Sequence, residues 1–316
     1  MSRAKIGYDG AMISYVVNAF GKRAHLPAVL AAIRSQRGLE AYEIIIVDPG
    51  SPDGVGAYAE AEAANDPRLR VLHVEDRGPG QAINAGLAVA RYPLCHLLDG
   101  DDLLAPTATV TLLSDLNAHR ADATIAQGGF YTGAAPVFPV EVAAPTWVVM
   151  PEEALAAMIR HAPSNMSGTL IRTDFARAFG GCDARVWVHD YSLSLRACRA
   201  GRVVLTDRPV WQGPATDESR IMLSQKRQMF HDFNAALAYL VEDHPEIPAA
   251  LKTLALNRAA GRALKWLRRE AQRAAPLAAF WRYGLSYLPP QVPLPVAPML
   301  RATLSAFEAT GKILRP

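Results

Sequence analysis

Three carboxylates crowd one short stretch of the chain, Leu97-Leu98-Asp99-Gly100-Asp101-Asp102-Leu103. The apolar run before them, Leu94–Leu98, reads as a buried strand, which puts the acids in the loop at its C-terminal end. Like charges this close repel one another. A divalent cation with oxygen ligands would neutralise them and could bridge to a diphosphate. The plainer alternative is a turn in which Asp102 caps the following helix. A second acidic loop, Asp48-Pro49-Gly50-Ser51-Pro52-Asp53-Gly54, ends another apolar strand, Glu43–Val47. Asp48 stands where it could accept a hydrogen bond from a base or ribose. Asp53 reads as a helix cap within favourable turn chemistry.

Both loops need a scaffold that brings them together. β-Branched runs at Ile13–Val17, Glu43–Val47, Leu69–Val74 and Leu94–Leu98 alternate with helical spacing at Leu26–Ser35, Gly54–Ala64, Gly80–Ala90 and Ala105–Asn117. That alternation predicts an α/β fold with a mostly parallel central sheet flanked by helices. In such sheets ligands bind beyond the C-terminal ends of the strands, where both acidic loops fall. Further on, residues 128–150 read as loops with short strands. A helix is expected at Pro151–Arg160, a strand at Ser167–Arg172, a helix at Asp190–Ala200 and a strand at Val203–Thr206. A long helical pattern covers residues 217–243. Pro245 and Pro248 mark a boundary, dividing the chain into residues 1–245 and a helical C-terminal extension, 246–316.

Composition narrows the function. Of 316 residues half are apolar and a fifth charged, as in an ordinary globular protein. No uncharged apolar run is long enough to span a bilayer, and the start, MSRAKIGYDGAM, is too polar for a secretory signal. Cys95, Cys182 and Cys198 cannot all pair and form no CxxC, which argues against a disulfide framework or structural zinc and for a reducing cytoplasm. The formal charge of +3 is uneven: residues 252–316 carry +9 and the remainder −6.

Taken in order, the motifs resemble the inverting, GT-A-type glycosyltransferases of family 2. The resemblance spans about residues 11–215. It rests on Asn18-Ala19-Phe20 after the first strand, Ile44–Gly54, Arg77-Gly78-Pro79-Gly80-Gln81-Ala82-Ile83-Asn84, Leu97–Asp102, Phe179-Gly180-Gly181-Cys182-Asp183 and His189-Asp190-Tyr191. It implies a nucleotide-diphosphate sugar donor, with UDP the expected nucleotide, and a Mn²⁺ or Mg²⁺ ion. The donor half would be about 11–127 and the acceptor half about 128–245. By position, Asp48 would meet the base, Asp99 the ribose, and Asp101 would hold the metal. Asn18, Phe20, Asn84 and Gly100 would complete the donor site. Asp190 would be the general base for an acceptor hydroxyl, unless it only caps its helix. The sequence departs from the family pattern at Pro49, Ile83 and His189, and at Gln212-Gly213-Pro214, where the metal's further protein ligand would be missing or come from elsewhere. His189, Trp187 and Trp211 fall on the acceptor side, along with Trp147 and Tyr191. These aromatic rings could stack on sugar or simply pack in the core.

Arg258, Arg262, Lys265, Arg269 and Arg273 fall on one face of a helix read over Ala249–Ala275, opposite Leu256, Ala260, Ala263, Leu267 and Ala271. The helical pattern Leu277–Leu288 adds Phe280, Trp281, Tyr283 and Tyr287. One reading is peripheral attachment to an anionic membrane surface on the cytoplasmic side, suited to a glycan or lipid-linked acceptor in surface polysaccharide synthesis. The other packs the apolar faces on the catalytic domain and leaves the Arg stripe solvated. Nucleic acid is not an expected partner. The chief competitor to an enzyme is a non-catalytic sugar-nucleotide-binding scaffold on the same fold. Asp102-Leu103 after the second Asp fits a phosphatase of the haloacid dehalogenase type poorly.

Overall fold

Strands rich in Val, Ile and Leu alternate with short helices through the first half of the chain, and the computed structural model assembles them into one sheet. It describes residues 11–139, 142–215, 225–270 and 276–314. The first strands and helices are β1 (Met12–Asn18), α1 (Leu26–Arg34), β2 (Ala41–Asp48), α2 (Val55–Ala63), β3 (Leu69–His73), α3 (Pro79–Val89) and β4 (Leu94–Asp99). They follow the sequence reading to within a residue or so at most ends. After them come β5 (Leu103–Leu104), α4 (Ala108–Ala118), β6 (Ala123–Ala126), β7 (Gly129–Tyr131), β8 (Val148–Val149), α5 (Ala154–His161), β9 (Thr169–Arg172), α6 (Thr173–Ala178), α7 (His189–Ala200), β10 (Val203–Thr206) and β11 (Trp211–Pro214).

Eight strands form the main sheet in the order β3-β2-β1-β4-β9-β6-β10-β8. β3, β2, β1 and β4 are mutually parallel, as are β6 and β10, while β9 runs antiparallel between β4 and β6. The strand period of two sorts side chains between two layers. Ile13, Tyr15 and Val17 pack with α1 and α4 on one face. Val16, Ile45, Val47 and Leu97 pack with α3 and α7 on the other. A sheet buried on both faces explains why these strands read as continuous apolar runs. Three further strands form a small second sheet in the order β5-β11-β7.

Among the described residues four helices follow: α8 (Lys226–Asp243), α9 (Ala249–Lys265), α10 (Leu277–Leu285) and α11 (Val296–Glu308), with a π-helical turn at Trp266–Glu270 after α9. The helical pattern expected from residue 217 begins at Lys226; residues 217–224 lie outside the described part. Pro245 and Pro248 mark a turn between α8 and α9, yet one apolar cluster runs across it. Leu237, Leu256, Ala259, Leu300 and Leu304 join Val16 and Leu97 in that cluster.

The Arg stripe of α9 is not one solvated face. Arg262 is turned inward, hydrogen-bonded to Asn234 Oδ1 and lying 5.1 Å from the Phe233 ring centroid. Burial lowers its pKa below the usual guanidinium range. α9 packs against both α8 and α11, so part of its polar face is covered. Arg273 and Ala271 lie outside the described residues. Among those described, no helix is long and apolar enough to cross a membrane.

Candidate active site

Three parallel strands deliver the acidic loops to one edge. Asn18 of β1 lies in register with Val47 of β2 and Asp99 of β4, so Asn18, Asp48 and Asp99 end side by side. The Gly100 N–H donates to the Asn18 carbonyl at 2.9 Å. A Cβ at Gly100 would sit 2.7 Å from that oxygen, so the turn closes onto β1 only with glycine there. The three carboxylates do not share one partner. Asp101 Oδ2 accepts from Lys22 Nζ at 2.7 Å. Asp99 Oδ1 faces His189 Nε2 at 3.3 Å. Asp102 points inward and accepts from Ser167 Oγ at 2.7 Å, while that same hydroxyl oxygen accepts the Asp99 N–H at 3.1 Å. Asp102 therefore anchors the turn from below. It does not cap α4, because β5 intervenes.

Above this turn lies a cavity of 530 Å³. Asn18, Phe20, Lys22, Asp99, Gly100 and Asp101 line one side; Ser164, Trp187, His189 and Asp190 line another. Asn18 Oδ1 is buried and has no hydrogen-bond partner among the described residues, an acceptor that a ligand's N–H or O–H would satisfy. Asp190 is the second residue of α7, whose cap position is Val188, so Asp190 is not the cap. Its Oδ2 accepts from Ser164 Oγ at 3.2 Å.

Several residues sit differently from the sequence reading. His189 reaches across to Asp99 and so belongs as much to the donor side as to the acceptor side. Burial alone would lower its pKa, but the hydrogen bond to Asp99 and the charges of Asp99 and Asp190 prevail and raise it to about 9. Asp48 does not line the cavity. It lies beneath its loop, accepting the Ser51 N–H at 2.8 Å and facing His73 at 3.5 Å. Asn84 is also committed elsewhere: its amide clamps both the N–H and the carbonyl of Cys182, at 2.8 and 2.9 Å. Trp211 reaches the cavity only at an edge. A Cβ on Gly128 would fall 2.2 Å from its ring, and Phe130 meets it edge-on at 5.6 Å. The exposed ring at this wall is Phe130, at 57%. Tyr191 is fully buried against Phe233, and Trp147 lies outside the lining.

As parts of the site, sequence reasoning missed Lys22, Ser164, Ser167 and the α8 wall, although it predicted the helix itself. Met229 and Phe233 of α8 form cavity wall, and Asp232 accepts the Trp187 N–H at 2.8 Å. Nothing local in the α8 sequence marks it as part of a site; only the packing brings it there.

Residues 14–161 match the family described as Glycosyl transferase family 2. That segment resembles family 2. Glycosyltransferase GlyG of Streptococcus pneumoniae is 34% identical over 121 residues, 38% of this chain and 39% of that protein. Succinoglycan biosynthesis protein ExoO of Rhizobium meliloti is 32% identical over 116 residues, 36% of this chain and 31% of that protein. The matched segment thus spans about two-fifths or less of these relatives' lengths.

Among solved structures, Staphylococcus aureus TarS 1-349 in complex with UDP-GlcNAc superposes with a TM-score of 0.65 at 14% identity. The match covers 95% of this chain and 90% of that one. The mannosyltransferase PcManGT of Pyrobaculum calidifontis, in complex with GDP-Man and Mn²⁺, gives 0.55 at 17% identity, covering 94% and 86%. The fold is that of the GT-A glycosyltransferases.

The site carries no all-protein metal cage: among the described residues no three His, Cys, Asp or Glu side chains are grouped to hold an ion. Asp101 fits a different kind of site. It presents one carboxylate to the cavity, and hard cations such as Mg²⁺ are commonly held by one or two carboxylates together with substrate phosphates. The residues fit a cation shared with a diphosphate, with Asp101 as the protein's ligand.

A buried network supports the Asp99–Asp102 turn from within. His96 of β4 donates from Nε2 to the Ser167 carbonyl at 3.0 Å, and its Nδ1 lies 2.9 Å from Thr109 Oγ1. Burial lowers its pKa from 6.5 to about 4. Below pH 6.5 the unfolded chain therefore binds a proton that the folded chain refuses, and stability falls as pH drops towards 4. His189 works in the opposite sense: its contribution is full below pH 6.5 and is lost as pH rises through 9. Urea unfolding at pH 7 and pH 5 should show a loss of roughly 2 kcal/mol attributable to His96. The wild type should lose that much more than His96→Gln between the two pH values. Equal losses in the two proteins would remove His96 as the cause.

Proposed function

We propose that this protein is an inverting glycosyltransferase that moves a sugar from a nucleotide-diphosphate donor, with UDP the expected nucleotide, to an acceptor hydroxyl. The observation that carries this reading is the single cavity holding Asp99, Asp101 and Asp190 at the C-terminal edge of a family 2 domain. Asn18 Oδ1 and the Gly100 turn face the nucleotide side, and Phe20 borders it. Asp101, with Lys22 beside it, faces the diphosphate. Asp101 would hold a Mn²⁺ or Mg²⁺ ion there, which would supply positive charge against the leaving diphosphate. Asp190, oriented by Ser164, takes the proton of the acceptor hydroxyl. The new bond forms at the anomeric carbon as the bond to the diphosphate oxygen breaks, releasing the nucleoside diphosphate. His189 holds Asp99 in place, and Trp187 and Phe130 border the acceptor. In this reading Asp48 shapes the nucleotide loop from below, and Asn84 fixes the loop leading to α7.

The acceptor we assign is a glycan or lipid-linked hydroxyl in surface polysaccharide or glycolipid synthesis, reached from the cytoplasmic face of a membrane. Relatives named for glycosyl transfer and succinoglycan biosynthesis support that class.

The test is thermal stabilisation by UDP, GDP and CDP, each with and without Mn²⁺. A ligand that binds only the folded state stabilises it by about 2.7 kcal/mol at a hundredfold excess over Kd, a shift of several degrees. UDP with Mn²⁺ should give the largest shift. No shift with any nucleotide would leave a fold without a donor site and sink the proposal.

A further inference from the structure

Helix α10 shows its apolar side to the outside. Leu277, Phe280 and Trp281 are 72%, 45% and 64% exposed, and Tyr287 in the turn beyond is 65% exposed. Their spacing puts them on one face. The opposite face attaches the helix to the protein. Ala279 is buried, Arg282 Nη1 donates to the Ala302 carbonyl at 3.1 Å, and buried Ser286 accepts from Asn257 Nδ2 at 3.1 Å. The helix is therefore docked in a definite orientation, with its large apolar side chains pointing away from the core. Contiguous apolar surface of this kind marks an interaction site.

Charge identifies what covers it. Beside α10 lies a 430 Å³ groove lined by Lys265, Arg268, Arg269 and Tyr283. None of its three cations forms an ion pair among the described residues, and residues 252–316 contain only two acids against eleven Lys and Arg. A rigid apolar ridge of Leu, Phe, Trp and Tyr flanked by unpaired cations is the pattern of a helix lying in an anionic bilayer interface. The rings enter the acyl boundary and the cations meet lipid phosphates.

We propose that α10 and the adjoining Lys265–Arg268–Arg269 groove form a docking surface for anionic phospholipid. This rests on the membrane-side reading of the function and locates the contact. It lies on α10 and the end of α9, whereas the α9 stripe is partly buried at Arg262.

Flotation of the full chain with equimolar phosphatidylglycerol–phosphatidylcholine vesicles tests it, with pure phosphatidylcholine as the neutral control. Wild type should bind the anionic vesicles at least about tenfold more tightly than neutral ones, and high salt should weaken the binding. Leu277→Glu/Trp281→Glu and Arg268→Glu/Arg269→Glu should each lower binding by about tenfold or more. All four side chains are exposed, so melting temperature and the UDP shift should not change. Binding that these variants leave intact, or no binding to anionic vesicles, overturns the proposal. So does a concentration-dependent dimer abolished by Leu277→Glu/Trp281→Glu without vesicle binding, which would assign the face to a second copy. Vesicle binding without a UDP shift would count against the donor site alone. A UDP shift without vesicle binding would count against this surface alone.

Discussion

Replacing Asp190 by Asn should lower sugar transfer by about 10²–10⁴-fold, the usual range for loss of a positioned general base, and leave UDP binding within about twofold of wild type. An acceptor hydroxyl is a weak nucleophile, and its proton must leave as the new bond forms. Asn cannot take that proton. It is otherwise a close replacement. Its carbonyl oxygen can still accept from Ser164 Oγ, now 3.2 Å from Asp190 Oδ2, and the cap position of α7 is Val188, so helix initiation does not depend on Asp190. Stability should therefore change by less than about 1 kcal/mol. Measuring kcat together with the UDP-induced melting shift separates the roles. A large fall in kcat with an unchanged shift supports the base. An unchanged kcat would exclude it and favour a fold that binds nucleotide without using Asp190. Loss of both would mean that Asp190 holds the cavity together, in a way the hydrogen bond of its side chain to Ser164 does not suggest.

Much of the donor half was legible because its signals are local. β1, β2 and β4 are continuous apolar runs, buried on both faces, that end in acids and turn residues. Parallel order alone brings Asn18, Asp48 and Asp99 to one edge. The direction of each side chain at that edge was not legible. Asp48 and Asp99 end neighbouring parts of the same sheet edge, yet one turns under its loop and the other into the cavity. Ser51 and His73 decide the first case, His189 and Ser167 the second, and these partners lie up to 90 residues away. Asn84 shows the same limit: its motif position is plain, but only the fold reveals that Cys182 occupies its amide.

The C-terminal helices mislead for a related reason. Helical periodicity correctly groups Arg258, Arg262 and Lys265, but it says nothing of how many neighbours surround the helix. With α8 and α11 both packed on α9, one member of the stripe is inside. For α10 the sequence pattern placed the aromatics on a helix, and the structure supplied the outward direction of Phe280 and Trp281.

Asp101→Ala should abolish the Mn²⁺-dependent part of the UDP shift, because Asp101 is the carboxylate that fits a cation shared with the diphosphate. From sequence, removing one of three crowded acids should relieve repulsion and cost little stability. The structure argues otherwise. Asp102 is held by Ser167 and Asp99 faces His189, so little repulsion is left to relieve. The partner that suffers is Lys22. Its side chain is 14% exposed, and the variant takes away the carboxylate it meets at 2.7 Å. Leaving a mostly shielded ammonium without that carboxylate should cost roughly 1–3 kcal/mol in the ligand-free protein.

Lys22→Met/Asp101→Ala should recover part of that loss, since removing both partners of a shielded pair costs less than removing one. It should not recover the metal dependence. Urea unfolding of the two single variants and the double variant measures the coupling, and the melting shift with UDP, with and without Mn²⁺, reads the ligand role. A Mn²⁺-dependent shift that survives in Asp101→Ala would remove Asp101 as the ligand. A metal-independent UDP shift of wild-type size in Asp101→Ala, lost when Lys22 is also replaced, would transfer the diphosphate contact to Lys22. The ammonium released from Asp101 would then face the same region of the cavity.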